Sequence, residues 1–464
     1  MSAEYLTCTK ILYLIIISGI SLNYILRINI SIAIVDMLDQ NTTNNTNKFD
    51  WTIIQKNEVL GSFFWGYLGT MIIGGRLAEM FGARKVHGIG ILGASVATVL
   101  FPWLARLHFY CAILARVVVG LFLGITFPSI YALAKFWIPP ADRSKFTSNM
   151  AAQGLGVAIF LPIGGFMIPR VGWECVFYVT GGLGLIWSLT WFYLVYDSPD
   201  VHPRISFEEK LKIQSKLKLV GGSTNMPKKF PLWKILTSTA AWAPAIATIG
   251  NTLNHFIFIN QLPTYLKDIL HLSIEENGIF SSLPYLGKYV VAVIGAYVAD
   301  RMRKNGAVST KNTRRIFTVV ALIIPSLMMI SLSVWDQGKV MSIITITALL
   351  SIKGCTTSTY LANYLDIAQN LAPTLMGISS TYGAIMGWVG TKLVGVITAE
   401  KNDSNAWGLI FIILGGLNIV SATFFIIFVS GEIQEWDSEK EEEAEPLKSE
   451  VTIKKDVAAI KSFI

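Results

Sequence analysis

Apolar residues in this chain do not recur at the spacing of a half-exposed helix or strand; they run together in long blocks separated by short charged stretches. Ile11 to Val35 and Gly408 to Val429 are typical, each at or above the ~20 residues that carry a helix across a hydrocarbon core. Bounding the blocks by charges and turn residues predicts twelve membrane spans: 11–35, 59–78, 86–105, 109–134, 147–168, 174–196, 239–262, 277–299, 315–334, 339–362, 374–399 and 406–430. The order is six spans, a hydrophilic interval from Asp197 to Ser238, then six more. The expected organisation is a six-helix half over 1–196, a cytosolic linker over 197–238, a second six-helix half over 239–430, and an acidic, disordered cytosolic tail over 431–464. The first block is longer than a signal-peptide core and no small-residue cleavage site follows it, so it is expected to be retained.

Charge orients the chain. Arg76, Arg84 and Lys85 follow span 2, Lys135, Arg143 and Lys145 follow span 4, and Arg301, Arg303, Lys304, Lys311, Arg314 and Arg315 follow span 8. All fall on the side of the lysine-rich linker, which the positive-inside rule assigns to the cytosol together with both termini. Sequons at Asn41, Asn44 and Asn402 fall on the opposite side, where glycosylation is expected. Composition agrees with a lipid-embedded protein: 53% of residues are hydrophobic and 15% charged. The net charge of +8 is spread over loops and not interleaved with stacking aromatics, which argues against nucleic-acid binding. Four scattered cysteines and the lack of a His cluster predict neither disulfides nor a metal centre, and no cofactor is expected. No Ser/His/Asp set, HExxH or paired intramembrane carboxylates appears, so an enzyme is not expected.

A short pattern repeats between the halves. Gly74-Gly-Arg-Leu-Ala-Glu79 followed by Arg84 closes span 2, and Gly295-Ala-Tyr-Val-Ala-Asp300 followed by Arg301 closes span 8. Such paired halves are expected of an all-α membrane protein with the major facilitator fold, whose substrate site lies near the midplane between the halves. Gly75, Glu79, Arg84, Asp300 and Arg301 are therefore candidate gating residues: glycine permits close helix approach, and the charges can pair and separate as the halves move. The plain alternative is a charged loop that only anchors topology.

Charges inside apolar blocks are costly and so mark candidate sites. Arg27 in span 1 and Arg116 in span 4 lie at similar depth, about 12 and 10 Å inside the outer helix ends. Two guanidiniums there could offer paired donors to a carboxylate or phosphate; snorkelling to the headgroups is the alternative. Lys288, Lys353 and Lys392 fall in spans 8, 10 and 11, and the first two join the candidate substrate set. His255 in span 7 could relay protons or touch substrate, or be a satisfied structural histidine. Tyr67, in the run Phe63-Phe64-Trp65-Gly66-Tyr67, could line a cavity, although aromatic helix packing explains it equally. His87 reads as interfacial.

Several longer strings carry a family resemblance. They include Asn23-Tyr24 with Arg27, Asn29 and Ser31; Gly61-Ser-Phe-Phe-Trp-Gly-Tyr67; Trp137-x-Pro139-Pro140-x-x-Arg143-Ser144; Gly172-Trp173-Glu174-x-x-Phe177-Tyr178; Ser281-Ser-Leu-Pro-Tyr-Leu-Gly287; and Leu365-Asp366-Ile-Ala368. Together they resemble the anion:cation symporter family, which includes sialin, the vesicular glutamate transporters and the sodium-phosphate transporters. The resemblance implies secondary active transport of an organic anion or phosphate by alternating access, coupled to sodium, protons or membrane potential, with Arg27 and Arg116 at the substrate-contacting arginine positions. Proton-coupled relatives carry a glutamate seven residues after the span 4 arginine; this chain has Leu123 there. A non-transporting receptor or scaffold on the same fold is the alternative. The expected setting is the plasma membrane or an endosomal or lysosomal membrane, as a monomer whose partners are a small anion and the bilayer.

Overall fold

The computed structural model describes residues 7–39, 48–138, 146, 153–218, 231–304, 308–335, 337–368 and 371–437. Asn41 and Asn44 lie outside the described residues, as does everything after Asp437. The first half is built from α1 (Cys8–Met37), α2 (Ile53–Phe81), α3 (Ala83–Leu107), α4 (Phe109–Gly124) with α5 (Thr126–Trp137), α6 (Gln153–Val171) and α7 (Glu174–Leu194). The interval between halves holds α8 (Phe207–Lys218) and the short α9 (Leu232–Thr237). The second half is α10 (Thr239–Asp268), α11 (Ile274–Lys304), α12 (Thr310–Thr318) with α13 (Ile324–Val334), α14 (Gly338–Ile352) with α15 (Tyr360–Ile367), α16 (Ala372–Glu400) and α17 (Ser404–Phe428). This is the twelve-span, two-half architecture read from the apolar blocks. Most helices overrun the predicted blocks at one or both ends, because hydropathy marks only the stretch in hydrocarbon while the helix continues into the interface; α7 and α17 end two residues short, at Leu194 and Phe428.

Among the described residues, ten helical runs are long and apolar enough to cross a membrane on those grounds alone. Ile53–Phe81 and Thr239–Asp268 are as long but more polar, with Lys56, Asn57 and Glu58 in α2 and Asn251, Asn254, His255, Asn260 and Gln261 in α10. Their packing accounts for this: α2 lies against α16, and α10 against α1, so both face protein across the divide between halves instead of lipid.

Three spans are divided: between α12 and α13, Val319–Ile323 winds as a π segment, and the other two breaks have local causes. α4 ends at Gly124 because Pro128 supplies no N–H and crowds the carbonyl four residues back; the Thr126 hydroxyl donates instead to the Leu123 carbonyl at 2.6 Å. Between α14 and α15, Lys353–Ser358 winds as a 3₁₀ segment. There Thr356 and Thr357 turn their hydroxyls onto the carbonyls of Lys353 and Gly354, competing with the helical ladder.

The halves touch along α6 with α11, α2 with α16, and α1 with α10. These contacts sit toward the face away from the linker, hereafter the far face. A Cβ on Gly61 would meet Trp388 and Thr391, one on Gly395 would meet Asn57, and Gly165 lies against Gly278. The linker is tied to the first half: Glu209 of α8 accepts from the backbone N–H groups of Cys8 and Thr9 and from the Thr9 hydroxyl at 2.6 Å, capping α1. The expected solvated tail begins differently. Trp436 and Asp437 are buried, Gln434 N–H donates to the Ile367 carbonyl, and Asp437 accepts from Leu371 N–H at 2.9 Å at the start of α16. One indole and one carboxylate, spaced to reach the same helix end, outweigh the acidic composition around them.

Candidate functional site

Arg27 lies on the inward face of α1, and the sequence around it places aromatic rings within its reach. Tyr24 is one turn earlier on the same helix; Phe63, Phe64 and Tyr67 come from α2; Phe256 comes from α10 in the other half. The guanidinium carbon sits 4.2 Å from the Phe256 ring centroid, 4.7 Å from Phe63, 5.0 Å from Phe64, 5.4 Å from Tyr67 and 5.7 Å from Tyr24. Phe64 and Phe256 meet edge to face at 5.0 Å, so the cage spans both halves. Arg27 is 3% exposed, and its Nε and one terminal nitrogen have no hydrogen-bond partner in the protein. Snorkelling does not describe such a group.

Arg116, also 3% exposed, donates to the Arg27 backbone carbonyl at 2.8 Å, and its Nε is unpartnered. It lies 5.4 Å from the Phe63 ring centroid, so the two arginines share one ring. From the second half, Lys353 places a buried, unpartnered Nζ at the start of the 3₁₀ segment. Lys288 on α11 is half-buried and close enough to act on Lys353 electrostatically. His255 lies on α10 with its ring 5.3 Å from that of Phe256, which covers Arg27, and its Nε2 is buried without a partner. The structure therefore brings the whole candidate set of Arg27, Arg116, Lys288, Lys353, Tyr67 and His255 into one region between the halves. Among the described residues no carboxylate forms an ion pair with any of its cations.

Sequence reading missed three contributors. Tyr24 and Phe256 complete the cage, and Tyr285 of α11 presents a buried, unpartnered hydroxyl. The available signal was spacing: Tyr24 precedes Arg27, and Tyr285 precedes Lys288, by three residues on a helix. Leu123 is fully buried on α4 two turns beyond Arg116. His87, read as interfacial, is instead buried between α3 and α5, bonded through Nδ1 to the Thr126 carbonyl and Ser129 hydroxyl and lying against Trp191.

Among the described residues, the candidate gating residues form no ion pair from one half to the other. Glu79 pairs with Arg76 at 2.9 Å on the same helix, not with Arg84. Arg84 donates its backbone N–H to Asp197, its side chain to the Phe192 carbonyl, and lies over Tyr196 at 4.5 Å. Asp300 pairs with Arg303 rather than with exposed Arg301. Asp366 accepts both Nε and a terminal nitrogen of buried Arg314, at 2.7 and 3.0 Å. Gly75 is not a close crossing, since a Cβ there would only touch Pro128 at 3.8 Å. The close crossing lies at Gly66 and Gly120, where a Cβ would come within 2.0 Å of the carbonyl oxygen of Val117 or Phe63.

Residues 16–391 match the family described as Major Facilitator Superfamily. Human sialin is 34% identical over 441 residues, covering 90% of this chain and 88% of sialin. Vesicular glutamate transporter 1 of Xenopus tropicalis is 31% identical, covering 91% of this chain and 75% of that protein. Among solved structures, the D-xylose-proton symporter superposes with a TM-score of 0.67 at 14% identity, over 91% of this chain and 98% of that one. A bacterial homolog of the human lysosomal transporter Spinster, inward-facing and unoccupied, superposes with a TM-score of 0.68 at 12% identity, over 92% and 97%. These two show the fold alone.

Proposed function

Because this chain belongs to the major facilitator superfamily of transporters, alongside sialin and the vesicular glutamate transporters, we propose that it is a secondary transporter of a small organic anion or inorganic phosphate. The observation that carries this reading is the buried basic set: unpartnered nitrogens on Arg27, Arg116 and Lys353, with no paired carboxylate among the described residues. A buried cation that lacks a protein counter-ion is stabilised by a ligand of opposite charge. Two guanidiniums supply planar, paired donors that suit carboxylate or phosphate oxygens, and the aromatic wall lowers the local dielectric and strengthens the attraction. Contributions from both halves, Arg27 and Arg116 on one side and Lys288, Lys353 and His255 on the other, let bound anion draw the halves together, as alternating access requires.

Leu123, where proton-coupled relatives hold a glutamate, supports drive by membrane potential or sodium over proton coupling through an acid. The basic loops support a cytosolic linker face and cytosolic termini. The test is uptake by proteoliposomes of labelled phosphate, sialic acid, glutamate and urate, with sodium replaced, pH stepped and a potassium diffusion potential imposed. At least one anion is expected to accumulate with potential or sodium, and Arg27→Ala to abolish that uptake. Wild-type uptake by Arg27→Ala would remove the guanidinium from the site.

A further inference from the structure

Charged side chains tie the two halves together on the far face. Lys267 and Asp268, the last two residues of α10, reach the first half in opposite senses. Lys267 Nζ lies 2.9 Å from Asp39 just past α1, and Asp268 lies 3.8 Å from Lys56 Nζ in the first turn of α2. Two turns deeper, Gln261 of α10 donates to Asn57 of α2. The side chains of Asp39 and Lys56 are only 9% and 10% exposed, while Lys267 and Asp268 remain reachable by water at 30% and 28%. Asn402 completes the group: its Nδ2 donates to Asp268 at 2.6 Å and its Oδ1 accepts from Trp407 Nε1 at 2.9 Å.

We infer that Lys267 and Asp268 form a charge-reversed latch that holds the far face shut, that Asn402 positions Asp268 within it, and that both pairs break when this face opens. The reversal specifies register. Exchanging partners would set Lys267 against Lys56 and Asp268 against Asp39, like against like, so only one alignment of the halves is favoured. Partial exposure of one partner in each pair keeps the latch reversible, because water can take up the charges as they separate. α10 also links the latch to the site. It carries Phe256 against Arg27 and, three turns on, the two latch residues, so an anion that shifts Arg27 moves the helix that ends in the latch. Asn402 therefore serves as a latch residue.

This inference rests on the alternating-access reading, and its test needs no substrate, so failed uptake and a failed latch are separate results. The full chain, with its four native cysteines replaced by serine, receives Thr264→Cys, a buried position one turn inside the latch. A membrane-impermeant maleimide is applied from the far face, and labelling is normalised to protein that elutes as a single species in detergent. Asp39→Asn and Lys267→Gln are each expected to raise the labelling rate about tenfold by shifting the population of open far faces. The double exchange Asp39→Lys with Lys267→Asp is expected to return it to within about threefold of the parent. Singles that label at the parent rate, or an exchange that labels as fast as the singles, would overturn the latch. Asn402→Ala is expected to raise the labelling rate in the same sense, since Asp268 loses the amide that positions it; labelling at the parent rate would overturn the role given to Asn402.

Discussion

At Arg27 a full charge is held without a carboxylate, and the five surrounding rings explain how the fold tolerates it. Each ring face offers the guanidinium an attraction of about 0.5–2 kcal/mol when water is excluded. That is enough to hold the charge in place but weaker than a buried ion pair, so the nitrogens stay available to an anion. Arg116 differs, since one of its nitrogens already donates to the Arg27 carbonyl and orients that turn of α1. Arg27→Lys is therefore expected not to rescue transport: an ammonium keeps the charge but loses the planar fork, and uptake should stay at least about tenfold below wild type. Leu123→Glu tests the neighbouring inference. A carboxyl two turns from Arg116 is expected to make uptake depend on pH, measured as a change in rate between pH 5.5 and 7.5 that the parent lacks.

Among the elements, α2 carries three of the five cage rings, and its distance from α4 is set by Gly66 against Val117 and Gly120 against Phe63. A methyl at either glycine would meet a backbone oxygen that no rotamer change can clear. Gly120→Ala is expected to destabilise the first half by about 1–3 kcal/mol, read as a lower melting temperature in detergent. The segment after α17 is a second such element. Trp436→Ala should cost about 3–5 kcal/mol through the cavity left beside α15 and α16, and truncation after Ser430 should lower the melting temperature in the same way. On the linker, His202 accounts for a pH effect. Its loss of solvent, followed by the neighbouring Arg204 charge, holds its pKa below the ordinary histidine value, against the opposing pull of the Leu194 carbonyl and Glu209. A histidine favoured neutral in the fold contributes stability above the unfolded value of about 6.5 and loses it as pH falls from there through the lower folded value. Limited proteolysis of the linker is therefore expected to quicken at pH 5.5 relative to pH 7.5.

For the molecule as a whole, contacts between the halves gather at the far face, and the basic set lies inward of them. The polar character of α2 and α10 belongs to this arrangement, since both line the divide. Motion of the halves would exchange contacts at one face for contacts at the other. The repeated loops at Glu79 and Asp300 pair within their own halves; among the described residues, the charged and amide ties that cross include Asp39 with Lys267, Lys56 with Asp268, Asn57 with Gln261 and Glu58 with Lys392. Work against the halves' separation at the far face is therefore expected to reside in these ties.

Span number, span order and the six-plus-six division were legible in the sequence because hydrocarbon imposes a one-dimensional rule: about twenty apolar residues per crossing, with backbone groups satisfied inside each helix. Arg27, Arg116, Lys288, Lys353 and His255 were legible for the same reason, as charges or polar rings standing where the rule forbids them. What surrounds them was not. Phe256 reaches Arg27 from a helix 229 residues along the chain, Asp268 meets Lys56 and Asn402 through one oxygen, and Asp437 returns to the start of α16. Periodicity describes one helix at a time, whereas the cage, the latch and the docked segment after α17 depend on which helices become neighbours, and only the packed tertiary structure decides that.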